Sequence, residues 1–125
     1  MNFKPAAGRL EASRVKLCYE AGYWRDEVPG DYLQKHAKER PDAIAIIDDN
    51  RRITWGELYK LCVRFALHLK QIGIEPGDVV ALQLPNWFEY IICYHGIQLA
   101  GGIIVQIGAD WGSAEMAYGF NTGPA

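Results

Sequence analysis

The chain has 125 residues, half of them hydrophobic and 22% charged, with a formal net charge of −2. That composition excludes a disordered segment, and a chain of this length folds as one domain at most, burying about two thirds of its unfolded surface. Lysines and arginines are scattered along the sequence rather than massed in one run, which argues against nucleic acid as a partner.

Three cysteines, Cys18, Cys62 and Cys93, form an odd set without metal-ligand spacing, and they read as reduced thiols, as expected for a cytoplasmic protein. The opening residues 1–14 hold no apolar segment of the kind a signal peptide needs. The most apolar stretch is broken by His95, Gln98 and a double glycine, so no transmembrane segment is expected. Serine and threonine are scarce: Ser13, Ser113, Thr54 and Thr122 are the whole set. A hydroxyl-rich phosphate loop cannot be built from them, and no GxxxxGK[ST] pattern is present.

Taken in order, the sequence predicts a helix over 10–21, in which Leu10, Val15, Cys18 and Tyr19 fall near helical spacing and Gly22 acts as a stop. Tyr23 and Trp24 follow, and aromatics beside a helix end are expected to dock onto the domain. Pro29 and Gly30 signal a turn, after which Asp31 is expected to cap a helix ending before Pro41. Its face carries Leu33 and Ala37, with His36 beside it in a structural role. Residues 43–48 and 52–53 read as a β-hairpin around the turn Asp48, Asp49, Asn50 and Arg51. Two loop carboxylates alone supply too few oxygens for a cation site, so Asp48 and Asp49 read as a solvated turn.

Thr54 and Glu57 have capping-box spacing, and the helix they open extends to about residue 72. Leu58, Leu61, Cys62, Phe65, Leu69 and Ile72 make its apolar stripe, while Lys60, Arg64, His68 and Gln71 face outward. Gly73 follows as the C′ residue. Residues 75–78, EPGD, give a type II turn. Residues 79–84 then read as a strand covered on both faces, ended by Pro85. Asn86 is expected to cap a helix to Ala100 with Glu89 answering it, Gly101 to close it, and 103–107 to return as a strand. A crossover of that length joins parallel strands with right-handed connection. Ser113 is expected to cap a last helix over 114–120.

Residue chemistry yields no mechanism. His95 sits on an apolar helix without an acid or nucleophile at helical spacing, and reads as a buried, hydrogen-bonded structural residue. Asp110 and Trp111 lie after a parallel strand, where α/β proteins place ligands, but one carboxylate and one indole make no catalytic set. No catalytic, cofactor-binding or metal residue is assigned.

Several pieces taken together resemble the N-terminal portion of the adenylate-forming acyl-CoA synthetases. AGYWRD (21–26), DYL (31–33) and RPDAIA (40–45) are similar to the entry of that family, and ITWGEL (53–58) to its first core motif. GIEPGDVVALQLPNW (73–87) and LAGGIIVQ (99–106) are similar to the stretch leading into the second motif and to that motif itself. The likeness decays after Ile107. It implies an α/β fold: a mixed sheet with a parallel βαβ crossover and flanking helices, the N-terminal part of the large domain of such a synthetase. Residues 1–24 would be an N-terminal helical extension and 25–125 a partial AMP-binding-enzyme domain. The parent activity implied is ATP-dependent acyl-CoA ligation of a fatty or other carboxylic acid through an acyl-adenylate. ATP, Mg²⁺ and coenzyme A would serve the parent enzyme, with none bound by this chain. The resemblance implies that the reactive parts lie beyond Ala125, that this polypeptide is inactive alone, and that its partner is the remainder of the enzyme. A sheet cut in this way would also expose an edge and an apolar face, and a homo-oligomer is expected. The alternative is a stand-alone α/β scaffold or small-molecule-binding module derived from that fold.

Overall fold

A computed structural model of the chain describes residues 11–49 and 51–122. The order is α1 (Ala12–Glu20), α2 (Pro29–Glu39), β1 (Ile44–Asp48), β2 (Arg51–Thr54), α3 (Trp55–Gln71), β3 (Val79–Leu82), α4 (Phe88–Ala100), β4 (Ile103–Gln106) and α5 (Ser113–Thr122). The chain is α/β, as expected. The antiparallel and parallel pairings are both present, as separate two-stranded ladders β1–β2 and β3–β4. In the parallel ladder Val79 lies opposite Ile103 and Leu82 opposite Gln106, with α4 as the crossover.

One core rests on the α3–α4 crossing. Gly96 sets the approach of the two helices: a Cβ there would stand 2.5 Å from the Phe65 ring and 3.2 Å from the Cys62 carbonyl. Against this crossing Ala66, Leu69, Leu82, Ile97 and Ala100 form one buried cluster. Leu33, Ile53, Leu58 and Cys62 form another, which ties α2 and the hairpin to α3. Of the expected α3 stripe, Leu58, Cys62 and Leu69 are buried and Ile72 is not, remaining 63% exposed. Ile72 lies past the last helical residue as the C-cap, and Ala66, outside that stripe, takes an inner position.

Local chemistry accounts for most boundaries. Thr54 accepts from the Glu57 N–H at 3.2 Å while the Glu57 carboxylate accepts from the Thr54 N–H at 2.9 Å, a complete capping box. Gly73 (φ +100°) and Gly101 (φ +91°) end α3 and α4 in the left-handed region. Gly77, at φ +98°, makes the type II turn, and its N–H donates to the Gly101 carbonyl at 2.9 Å.

Four expectations fail for physical reasons. Pro29 and Gly30 are not a turn outside α2 but its first residues, because proline's fixed φ suits the first helical position. Asp31 therefore sits inside the helix, its carboxylate accepting the Val28 N–H at 2.9 Å. Asn86 does not cap α4: the Trp87 N–H turns back to the Pro85 carbonyl at 2.8 Å, which moves the cap to Trp87, and no side chain bonds there. The β3 strand is covered on one face, not two. Val80 and Leu82 point to the helices, whereas Val79 and, on β4, Ile103 and Val105 remain 41–50% exposed. Finally, Tyr23 does not dock. It is 82% exposed, Trp24 packs edge-on against Tyr19 at 5.9 Å, and α1 buries no residue. Leu10 and Asn50 lie outside the described residues.

Candidate functional site

The carboxyl ends of β3 and β4 meet where open α/β sheets hold their ligands. Gln83, the first residue past β3, organises this end. Its amide nitrogen donates to the carbonyls of Gly108 and Trp111, each at 3.0 Å. The loop after β4 is thereby folded back on itself, with Trp111 N–H donating to the Gly108 carbonyl at 3.0 Å. Gly108 allows the close return, since a Cβ there would lie 2.8 Å from both Asp110 Oδ1 and Trp111 Cδ1. At the far side Glu115 accepts the Gly112 N–H at 3.1 Å and so starts α5. Gly112, not Ser113, is the residue before the helix. Asp110 and Trp111 thus stand exposed on a pinned loop.

Along β4, from its amino end, a groove of about 510 Å³ is bordered by Tyr94 and Gln98 of α4, Gly102, and Ile103, Ile104 and Gln106 of β4. The Gln98 Oε1 and the His95 Nδ1 are each buried without a hydrogen-bond partner among the described residues. His95 is half-buried, with its Nδ1 unpaired and the Gln98 side chain as its hydrogen-bonding neighbour. Burial pulls its pKa below the ordinary 6.5, with the Gln98 carboxamide acting in the opposite direction. The ring meets the Tyr94 ring edge-on at 5.4 Å.

The remaining candidates are held apart. His36 lies on α2 against Trp55 at 4.7 Å, where Arg40 also covers the indole at 5.5 Å, and this stack joins α2 to α3. His68 is exposed on the outer side of α3. Burial pushes the Cys62 thiol up to about 12 and raises Cys93 as well, with the Glu89 charge adding to the latter. Neither has the thiolate character of a nucleophile. Among the described residues no three His, Cys, Asp or Glu side chains converge as a metal site. The sequence signal for the Gln83 clamp is a lone amide at the end of an apolar strand.

Residues 33–124 match the AMP-binding enzyme family. A salicylyl-CoA synthase / salicylate adenylyltransferase of Streptomyces sp. is 38% identical over 72 residues, which are 58% of this chain and 13% of that protein. The medium-chain fatty-acid–CoA ligase of Escherichia coli K12 is 32% identical over 103 residues, 82% of this chain and 18% of the ligase. Among solved structures, apo MbtA of Mycobacterium smegmatis superposes with a TM-score of 0.82 at 37% identity, over 87% of this chain and 21% of its own. The chain thus spans less than a fifth of the length of these two curated relatives. On this agreement of sequence and architecture, the chain belongs to the AMP-binding enzyme family of adenylate-forming ligases.

Proposed function

We propose that residues 25–125 are framework for the large domain of an ATP-dependent acid–CoA ligase, with residues 1–24 as an N-terminal helical extension. The reaction joins a carboxylate to ATP, releases pyrophosphate, and passes the acyl group from the adenylate to coenzyme A. The observation that carries this reading is the family match over 33–124, laid on a βαβ crossover whose outer face is bare. The role of this stretch is to set the first parallel strands and the helix behind them. ATP, Mg²⁺ and coenzyme A are assigned to residues outside this chain, and the scarcity of serine and threonine supports that assignment. The acid is aromatic or aliphatic, the two kinds named for the relatives. The partner is the remainder of the enzyme, and the bare sheet face supports self-association when that remainder is absent. The proposed compartment is the cytoplasm, in line with three free thiols; no helix among the described residues is long and apolar enough to cross a membrane.

A chimera tests the framework role. Residues 33–107 replace the corresponding stretch of the E. coli medium-chain ligase, and acyl-CoA formation is measured across aliphatic acids and salicylate. The expected result is a folded enzyme that keeps the ligase's own acid preference, while the 125-residue chain alone gives no acid-dependent pyrophosphate exchange. A folded chimera that loses activity, or turns to a different acid, overturns the proposal.

A further inference from the structure

Cations that are scattered in the sequence are gathered in space. Arg51 and Arg52 of β2 and Lys60 and Arg64 of α3 border one groove of about 590 Å³, a volume in the range of small-molecule sites. Lys60 and Arg64 are one helical turn apart, and all four residues are exposed. The floor is apolar: Ile53 is buried, and Leu61 and Phe88 are half-buried. Arg51 is held in place, its guanidinium lying 4.7 Å over the Phe88 ring. One carboxylate, Glu57, shares the groove, and it is already engaged by the Thr54 N–H. Asp48 and Asp49 approach Arg51 and Arg52 from the other side of the hairpin. The ion pairs of the described residues, Lys16 with Glu20 and Arg25 with Glu27, leave all four groove cations unpaired.

Inside the groove four cations face one committed carboxylate, and with Asp48 and Asp49 set beside Arg51 and Arg52 the cations still outnumber the carboxylates, most clearly at Lys60 and Arg64, which favours an anion there. Arginine forks and a lysine ammonium suit the oxygens of a phosphate, and the floor suits a hydrocarbon tail. We propose that this groove binds a small amphipathic anion, a phosphate monoester carrying a short apolar tail. The phosphate sits among Arg52, Lys60 and Arg64, and the tail lies on Ile53, Leu61 and Phe88. The site is separate from the loop clamped by Gln83, and the inference does not depend on the ligase reading.

The test is titration of the 125-residue chain with octyl phosphate at low salt, followed by calorimetry. Saturable binding is expected, at least about tenfold tighter than inorganic phosphate or octanol, because both parts of the ligand contribute. Affinity should rise about twofold per methylene from butyl to octyl phosphate, less than full burial would give in an open groove. The double variant Lys60→Gln/Arg64→Gln should weaken octyl phosphate by about tenfold or more, and Lys38→Gln on α2 should leave it unchanged. If the double variant does not fold, Arg52→Gln on the hairpin takes its place. Equal binding by the groove variants overturns the proposal. So does inorganic phosphate binding as tightly as octyl phosphate, or association with phosphatidylglycerol vesicles without binding of monomeric octyl phosphate.

Discussion

Burial disfavours the imidazolium of His95, the Gln98 side chain offsets this only in part, and the ring Nδ1 has no partner among the described residues. The unfolded chain, in which the ring is solvated, therefore binds the proton more readily than the folded chain. Stability from this group is complete above the ordinary value of 6.5 and is lost as pH falls through it towards the lower folded value. Urea denaturation from about pH 7.5 to about pH 5.5 should show a falling midpoint, and His95→Gln should flatten that slope. An identical slope in the variant would place the titrating group elsewhere. A sequence shows that this histidine lies on an apolar helix. It does not show the orphaned nitrogen, because that depends on what α4 meets across the fold.

Caps mark what is legible at the level of elements. Thr54 and Glu57 announce α3 because a capping box is closed within four residues, and both of its hydrogen bonds are present. Asn86 and Glu89 have the same spacing and fail, since the turn from Pro85 to Trp87 consumes the residue that would have been the cap. Pro29 likewise reads as punctuation although it opens α2; Gly30 is buried there, where a Cβ would meet Leu99 at 3.3 Å. Spacing identifies partners, while the chain's path into the helix decides whether they meet. Thr54→Ala should therefore lower unfolding free energy by about 1 kcal/mol, the usual cost of a lost N-cap. Equilibrium denaturation should show a lower midpoint with an unchanged m-value. The Gln83 clamp could not be inferred in the same manner, because its partners, Gly108 and Trp111, lie about a whole crossover away.

The strand–helix–strand unit was legible, but its surroundings were not. Apolar runs at 79–84 and 103–107 imply strands covered on both faces, and the molecule covers one. Val79, Ala81, Ile103 and Val105 share the bare face, and in a two-stranded ladder each strand also keeps a free edge. Such a face and such edges favour pairing with a second copy, and two strands alone are marginal in water. The 125-residue chain should therefore sediment as a self-associating species whose average mass rises with concentration. Val79→Lys/Val105→Lys puts a charge on each strand of that face without touching Val80, Leu82 or the α3–α4 crossing, so it should shift the equilibrium to monomer while preserving the far-UV spectrum. A parent chain that remains monomeric at high concentration would mean that the bare face is covered from within the chain. A double variant that associates as strongly as the parent would move the contact to another surface, with the exposed aromatics at Tyr23 and Trp24 next in line.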